Sequence, residues 1–328
     1  MPVPVVILGA VPFHDLSFLD VFDGRIQLFD ANGAGHETEV DASLAHAEVL
    51  LLGFPVPGAV AARAPNLRWV HHTYAGVSNL RRSDLWTSGV VLTSTRGAVA
   101  ATAIAEYAMA GVFFFTRGID TAVEQKHAGQ ITHAGYAMTT LGGATLGIVG
   151  LGGIGREVAR IAAGAGMRVV ASRRSTASPE RGVDGVDVVY PARDLHTLLG
   201  ESDAVVVCSQ LTDETRDMFD ATAFAAMKPG AVFVNIARGE EVDEDALVDA
   251  LRRGHIRGAL LDVHAGEPDG RPPHPGLVET PNLILTPHIS ALGDPDLGAG
   301  ARRLFAENLD RYLRAEPLVN VVDRRRGY

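Results

Sequence analysis

The sequence predicts an α/β protein made of two doubly wound, parallel-sheet domains. Three observations carry this. Short apolar runs bounded by Gly, Pro and Asp recur along the 328 residues, the pattern of parallel strands buried on both faces. Helical patterns alternate with them, as strand–helix–strand units require. One strand–helix junction, at residues 147–155, reads GIVGLGGIG.

The first strand set is expected at Val3–Leu8, Arg25–Phe29, Val49–Leu52, Arg68–His72 and Val90–Ser94, with short helical patterns between, such as Ser43–Ala47. The second is expected at Thr145–Val149, Arg168–Ala171, Val186–Val189, Ala204–Cys208, Ala231–Ile236, Gly258–Val263 and Leu283–Leu285. Between the sets lies a long helix, about Ala98 to Phe115. It is apolar nearly all round (Ile104, Ala105, Tyr107, Ala108, Met109, Val112, Phe113), so it reads as buried between domains, at a subunit interface or within one chain. Lys126–Thr140 reads as a loop with a turn of helix. The last helix, Leu297–Arg314, is expected to return to the first domain. The substrate-binding domain is therefore expected to be discontinuous and flavodoxin-like, at 1–97 and 290–328, and a Rossmann cofactor domain is expected at 98–289. The crossings are expected near Thr95–Val99 and His288–Leu292.

Composition narrows the function. Hydrophobic residues at 47% and charged residues at 21% are ordinary for a soluble globular chain. A net charge of −10 with dispersed basic residues argues against a nucleic-acid partner. Arg324-Arg325-Arg326 reads as a solvated tail. The single Cys208 excludes an internal disulfide framework and fits a reducing, cytoplasmic location. No apolar run approaches the ~20 residues of a membrane span, so no membrane partner is expected. The start, MPVPVVILGA, lacks the basic region of a signal peptide. No metal is expected.

Gly150-x-Gly152-x-x-Gly155 lies between strand and helix, the context that gives this motif its meaning as a dinucleotide site. Gly150 permits the tight turn, Gly152 lets backbone approach a pyrophosphate, and Gly155 lets the helix pack on the strand. The free N–H groups of the helix start, with Gly153 and Ile154, are expected to hold the anion. At the end of the next strand an NAD site carries a carboxylate for the ribose 2′-hydroxyl. Here the strand Met167–Ala171 runs into Ser172-Arg173-Arg174-Ser175-Thr176. Two guanidiniums and no carboxylate favour NADP(H), whose 2′-phosphate needs planar cationic donors, with NAD(H) also accommodated.

Three later segments each end a predicted strand, the sheet edge where ligands bind in open α/β folds: Asn235-Ile236-Ala237-Arg238-Gly239, Leu261-Asp262-Val263-His264-Ala265-Gly266-Glu267-Pro268 and Thr286-Pro287-His288-Ile289-Ser290. These ends gather residue types suited to proton transfer and anion binding. Imidazole, with an unperturbed pKa of about 6.5, suits proton donation near neutral pH. A carboxylate on its other nitrogen favours the protonated ring, and a guanidinium can hold an anion and polarise a carbonyl.

With NIARGEEVDEDAL, GALLDVHAGEP and LILTPHIS following GLGGIG in this order, the chain resembles the D-isomer-specific 2-hydroxyacid dehydrogenases, and its Arg-bearing turn resembles that of the glyoxylate/hydroxypyruvate reductases that use NADPH. The resemblance implies a catalytic Arg238, Glu267 and His288. It implies that Asp262, with Ala237 and His288, meets the nicotinamide end of the cofactor. It also implies that the segment containing Ala75, Gly76 and Val77 takes the substrate carboxylate on backbone N–H groups, beside Arg238 and His288. Closure of the two domains would exclude water. A homodimer is implied too. The expected activity is NADPH-dependent reduction of a small 2-keto acid to the D-2-hydroxy acid. The alternative is a dinucleotide-sensing binding protein of the same fold with little turnover. His264 reads as a surface loop residue, His71 and His72 as structural or facing the site, and Cys208 as packing.

Overall fold

The computed structural model describes residues 1–13, 15–33, 37–97, 101–294 and 298–327. Its chain divides into two compact units, Met1–Ala100 with Gly293–Tyr328, and Ala101–Leu292. Ala98 and Val99, in the expected crossing and helix start, and Leu297, in the last expected helix, lie outside the described residues.

The first unit holds strands β1 (Val3–Leu8), β2 (Ile26–Asp30), β3 (Val49–Leu52), β4 (Trp69–His72) and β5 (Val91–Ser94). All pair in parallel, in the order β2-β1-β3-β4-β5, the flavodoxin-like arrangement. Alternation along each strand sends side chains to opposite faces, and both faces are buried. Val6, Leu8, Leu50, Leu52, Val70 and Leu92 share one core. Val5, Ile7, Val49, Leu51 and Trp69 share the other with Ala301, Phe305 and Leu309. Helix α1 is Glu37–His46, and the last helix, α9 (Ala299–Leu313), supplies that second core. Arg325 and Arg326 of the arginine run are exposed, as a solvated tail requires, but Arg324 is docked. Val322 N–H donates to Leu92 O (2.8 Å), and the Arg324 guanidinium donates to the Leu85 and Val90 carbonyls. An arginine fork can satisfy several carbonyls at once, and that docks the segment along β5.

The second unit contains β6 (Thr145–Val149), β7 (Arg168–Arg173), β8 (Glu180–Val183), β9 (Val186–Pro191), β10 (Ala204–Val207), β11 (Ala231–Asn235), β12 (Ile256–Leu261) and β13 (Leu283–Leu285). Their order is β13-β12-β11-β10-β6-β7-β9-β8. The inner six strands follow the Rossmann order, and ligands bind such sheets where that order reverses, beside β6. Helices α2 (Ala101–Thr116), α3 (Ile119–His127), α4 (Gly153–Gly164), α5 (Leu195–Glu201), α6 (Ala221–Ala226), α7 (Glu244–Arg252) and α8 (Pro275–Glu279) accompany it.

The long apolar helix packs within its own unit, against α4, β11 and β12. Gly111 lets Leu260 approach, where an added Cβ would lie 2.9 Å from its Cδ1, and Phe115 covers Gly258. One strand was not anticipated. β8 pairs antiparallel with β9 and makes the sheet mixed. It is short and polar, so its apolar signal is weak. Its turn was legible, however: Asp184-Gly185 sits between paired Val183 and Val186, with φ of 55° and 78°. Asp-Gly is a preferred pair for a two-residue hairpin turn with positive φ at both positions.

Candidate active site

The glycine loop is built as its spacing requires. Gly150 has φ 101°, and an added Cβ would lie 2.7 Å from Ser209 N. At Gly155 a Cβ would lie 2.3 Å from Gly150 O, so helix and strand pack without room for a side chain. At Gly152, the N-cap of α4, a Cβ would meet no protein atom within 4 Å, and no side chain caps the helix. Backbone N–H groups of the first turn, including those of Gly153 and Ile154, are thus left to an anion, and the cradle fits a dinucleotide pyrophosphate. The loop is fastened to the next strand by Gly150 N–H and Leu151 N–H, which donate to Ser172 O at 3.0 and 3.2 Å.

That fastening places the Arg-bearing turn beside the glycine loop. The Ser172 side chain is buried. Arg173 is not a bare cation. Its Nε donates to Thr176 Oγ1 (2.9 Å), Nη1 to Asp184 Oδ2 (3.0 Å) and Nη2 to Glu180 Oε2 (3.1 Å). Arg174 Nη1 lies 3.6 Å from Glu214 Oε2. The local sequence has no carboxylate here, but the β8–β9 hairpin brings in two.

At the end of β11 the buried Asn235 shapes the next turn. Its Nδ2 donates to Arg238 O and its Oδ1 accepts from Ala237 N–H, both at 2.9 Å. Arg238 Nη1 in turn donates to Ala237 O (2.6 Å). Burial lowers the guanidinium pKa from its ordinary value, and the nearby carboxylates of Glu241, Glu267 and Glu240 oppose this. An arginine remains a cation at any relevant pH. Gly239 lets this turn reach the loop after β12, where an added Cβ would lie 1.9 Å from His264 C.

Asp262, fully buried at the end of β12, holds the third segment. Its Oδ1 accepts from Thr286 Oγ1 and Ile289 N–H, both 2.8 Å, and its Oδ2 accepts from Ser290 N–H (2.9 Å). Tyr107 Oη lies 2.6 Å from Thr286 Oγ1. Within this clasp His288 has φ 55°, a left-handed conformation uncommon for a non-glycine residue. Its N–H donates to Asp262 O at 2.9 Å. His288 Nδ1 lies 2.8 Å from Glu267 Oε1. An ionised carboxylate only accepts, so Nδ1–H is the donor and Nε2 is left for another partner.

Arg238, Asp262, Glu267 and His288 therefore share one edge of the second unit's sheet. Asn235 and Thr286 stand in the strand-end segments, but the sequence gives them no role, because their work is to shape the loops around the site. Glu241, beside Arg238, is given none either. It is fully buried and accepts from Ser209 Oγ at Oε2, and among the described residues Oε1 has no partner. Burial raises its pKa to about 7.

In the first unit, Ala75, Gly76 and Val77 follow β4. Val77 is buried in the core, so only its backbone is available to a ligand. Among the described residues nothing accepts from the N–H groups of these three. His71 and His72 below them are structural. His71 is fully buried, with Nδ1 2.8 Å from Thr93 Oγ1, and burial depresses its pKa to about 3. His72 Nδ1 lies 3.1 Å from Leu52 O. Cys208 is packed, and burial drives its thiol pKa strongly upward, which makes it unreactive.

The family model described as D-isomer specific 2-hydroxyacid dehydrogenase, NAD binding domain, matches residues 109–290, more than half of the chain. The chain belongs to the D-isomer-specific 2-hydroxyacid dehydrogenase family. It is therefore an NAD(P)-dependent oxidoreductase that interconverts a 2-keto acid and a 2-hydroxy acid. The dehydrogenase is 36% identical over 283 residues to a glyoxylate reductase of Korarchaeum cryptofilum, covering 84% of this chain and 82% of that one. It is 37% identical over 236 residues to an (S)-sulfolactate dehydrogenase of Chromohalobacter salexigens, covering 70% and 73%. Among solved structures, a D-isomer specific 2-hydroxyacid dehydrogenase from Xanthobacter autotrophicus, in complex with NADPH and MES, aligns over 100% of both chains with a TM-score of 0.82 at 30% identity. An NADPH-dependent glyoxylate/hydroxypyruvate reductase from Sinorhizobium meliloti, in complex with NADP and sulfate, gives a TM-score of 0.83 at 26% identity, over 99% of this chain and 100% of that one. Among the described residues no helix is long and apolar enough to cross a membrane.

Proposed function

We propose that this dehydrogenase reduces a small 2-keto acid, of the size of glyoxylate or hydroxypyruvate, to the D-2-hydroxy acid with NADPH. The observation that carries the reading is the Glu267–His288 pair at 2.8 Å, on a loop clasped by Asp262 at the sheet edge that also bears the glycine loop. When bound, the cofactor supplies the hydride to the carbonyl carbon. His288 Nε2 gives the proton to the carbonyl oxygen, and Glu267 stabilises the imidazolium before transfer. Arg238 holds the substrate carboxylate and polarises the carbonyl. Within the first unit, the N–H groups of Ala75, Gly76 and Val77 are read as carboxylate-binding donors.

For the cofactor, Gly150, Gly152, Gly153, Ile154 and Gly155 take the pyrophosphate. Arg173 and Arg174 take the 2′-phosphate, with Ser172 supporting the turn through its backbone. Ala237, Asp262 and His288 lie at the nicotinamide end. The NADPH and NADP complexes of the Xanthobacter and Sinorhizobium proteins support this choice. We also read the protein as a cytoplasmic homodimer. The exposed apolar residues Phe113, Ile119, Val123 and Ile131 support self-association, and sedimentation of the purified chain tests it.

The deciding experiment follows absorbance at the nicotinamide band. Glyoxylate, hydroxypyruvate, pyruvate, the keto acid corresponding to sulfolactate and a bulkier 2-keto acid are each offered with NADPH and with NADH. Fast turnover of a small keto acid with NADPH is expected. Tight NADPH binding without turnover on any of them would make the protein a sensor instead. Replacing both Arg173 and Arg174 by Ala is expected to weaken NADPH at least ~10-fold, since charged hydrogen bonds are worth about 1.5–3 kcal/mol, and NADH far less. Equal losses would remove the 2′-phosphate from this turn.

A further inference from the structure

Arg173 sits in a cluster where cations and carboxylates are paired. Arg173 meets Asp184 and Glu180 at 3.0 and 3.1 Å, Arg156 from the first turn of α4 meets the same Asp184 oxygen at 3.2 Å, and Arg174 faces Glu214 at 3.6 Å. The three cations and three carboxylates are all partly exposed. A 2′-phosphate carries about −1.5 to −2 charges near neutral pH, so it gains from the arginines only what the carboxylates leave.

We propose that Asp184, with Glu180, is a cofactor-discriminating pair: it orients the Arg173 fork and lowers the positive potential that a 2′-phosphate meets, so that the β8–β9 hairpin limits the preference for NADPH over NADH. This rests on the reading that the Arg173–Arg174 turn receives the adenosine 2′ position. Two features single out Asp184. Its Oδ2 is shared by Arg173 and Arg156, one from the strand end and one from the glycine-loop helix. And it occupies a positive-φ turn position of the hairpin, φ 55°, which fixes the direction of its short side chain toward the two arginines it accepts from.

Orientation and charge have opposite consequences, and Asp184→Asn separates them. Asparagine keeps an oxygen for Arg173 and removes the charge. Asn-Gly is also a favoured pair for this turn, so the fold is preserved. Binding of 2′,5′-ADP and of 5′-AMP is measured by calorimetry on the full chain, which requires no turnover. The variant is expected to bind 2′,5′-ADP ~3–10-fold more tightly, with 5′-AMP changed less than ~2-fold. The gain should shrink as salt is raised, as screening demands. Glu180→Gln, on the neighbouring strand, is expected to move affinity in the same direction. Unchanged or weaker 2′,5′-ADP binding in both variants overturns the proposal, because the carboxylates would then act only as supports. An equal gain for both nucleotides overturns it too. Failure of the underlying reading looks different: wild type would bind 2′,5′-ADP no better than 5′-AMP, and the double Arg173/Arg174 replacement would not discriminate between them.

Discussion

Replacing His288 by alanine is expected to lower kcat at least ~10²-fold while NADPH binding persists, because a positioned general acid contributes about 10²–10⁴-fold. The geometry makes the prediction specific. The Nδ1 side of the ring faces Glu267 at 2.8 Å, so Nε2 is the nitrogen left for a substrate oxygen. The loop does not depend on the imidazole for its shape: Asp262 grips it through Thr286 Oγ1 and the N–H groups of Ile289 and Ser290. Removing the ring should therefore remove chemistry and leave the scaffold. Single-turnover reduction with saturating NADPH reads the chemical step directly. A kcat within about threefold of wild type would show that the proton comes from elsewhere. Because φ is 55° at this position, the unfolding temperature is measured alongside, so that any change in stability is read separately from the chemistry.

Glu241→Gln is expected to reverse part of the pH dependence of stability. Glu241 is fully buried, and burial raises its pKa from the ordinary 4.5 to about 7. The folded chain therefore keeps a proton that the unfolded chain loses once pH passes 4.5. Below that pH both states are protonated and the residue is neutral in its effect. Between 4.5 and 7 the native state is progressively penalised, and above 7 the penalty is complete. Linkage converts that gap into roughly 3 kcal/mol. Glutamine cannot ionise but keeps an acceptor for the Ser209 hydroxyl. It also places an amide group where Oε1 had no partner, which costs a constant amount at every pH. The slope, not the offset, is the readout. Between pH 5 and pH 8, urea unfolding should show wild type losing roughly 2.5 kcal/mol relative to the variant, since part of the penalty is already present at pH 5. Parallel curves would mean that Glu241 is already ionised in the native state at pH 5.

Much of the architecture was legible because it is local. Strand runs such as Val49–Leu52 and Thr145–Val149 coincide with the observed elements, since an apolar run long enough to bury both faces has few other fates. The glycine spacing was legible because each glycine answers a backbone demand: a positive φ at Gly150, an open face at Gly152 and a close helix–strand approach at Gly155. Polar signals were harder to read. β8 escaped because its four residues, ERGV, carry almost no apolar periodicity, although the Asp184-Gly185 turn announced it.

What the sequence by itself determined is therefore the two sheets, the dinucleotide loop and the residue types at the strand ends. Only the tertiary structure decided how those side chains are held and neutralised. It gave Arg173 its carboxylates across the β8–β9 hairpin, put Ser209 against Glu241, and closed Asp262 around the loop that carries His288. These contacts join residues on different elements, and their chemistry depends on distance and burial. Periodicity reports which face a residue occupies, but not which charge lies opposite it.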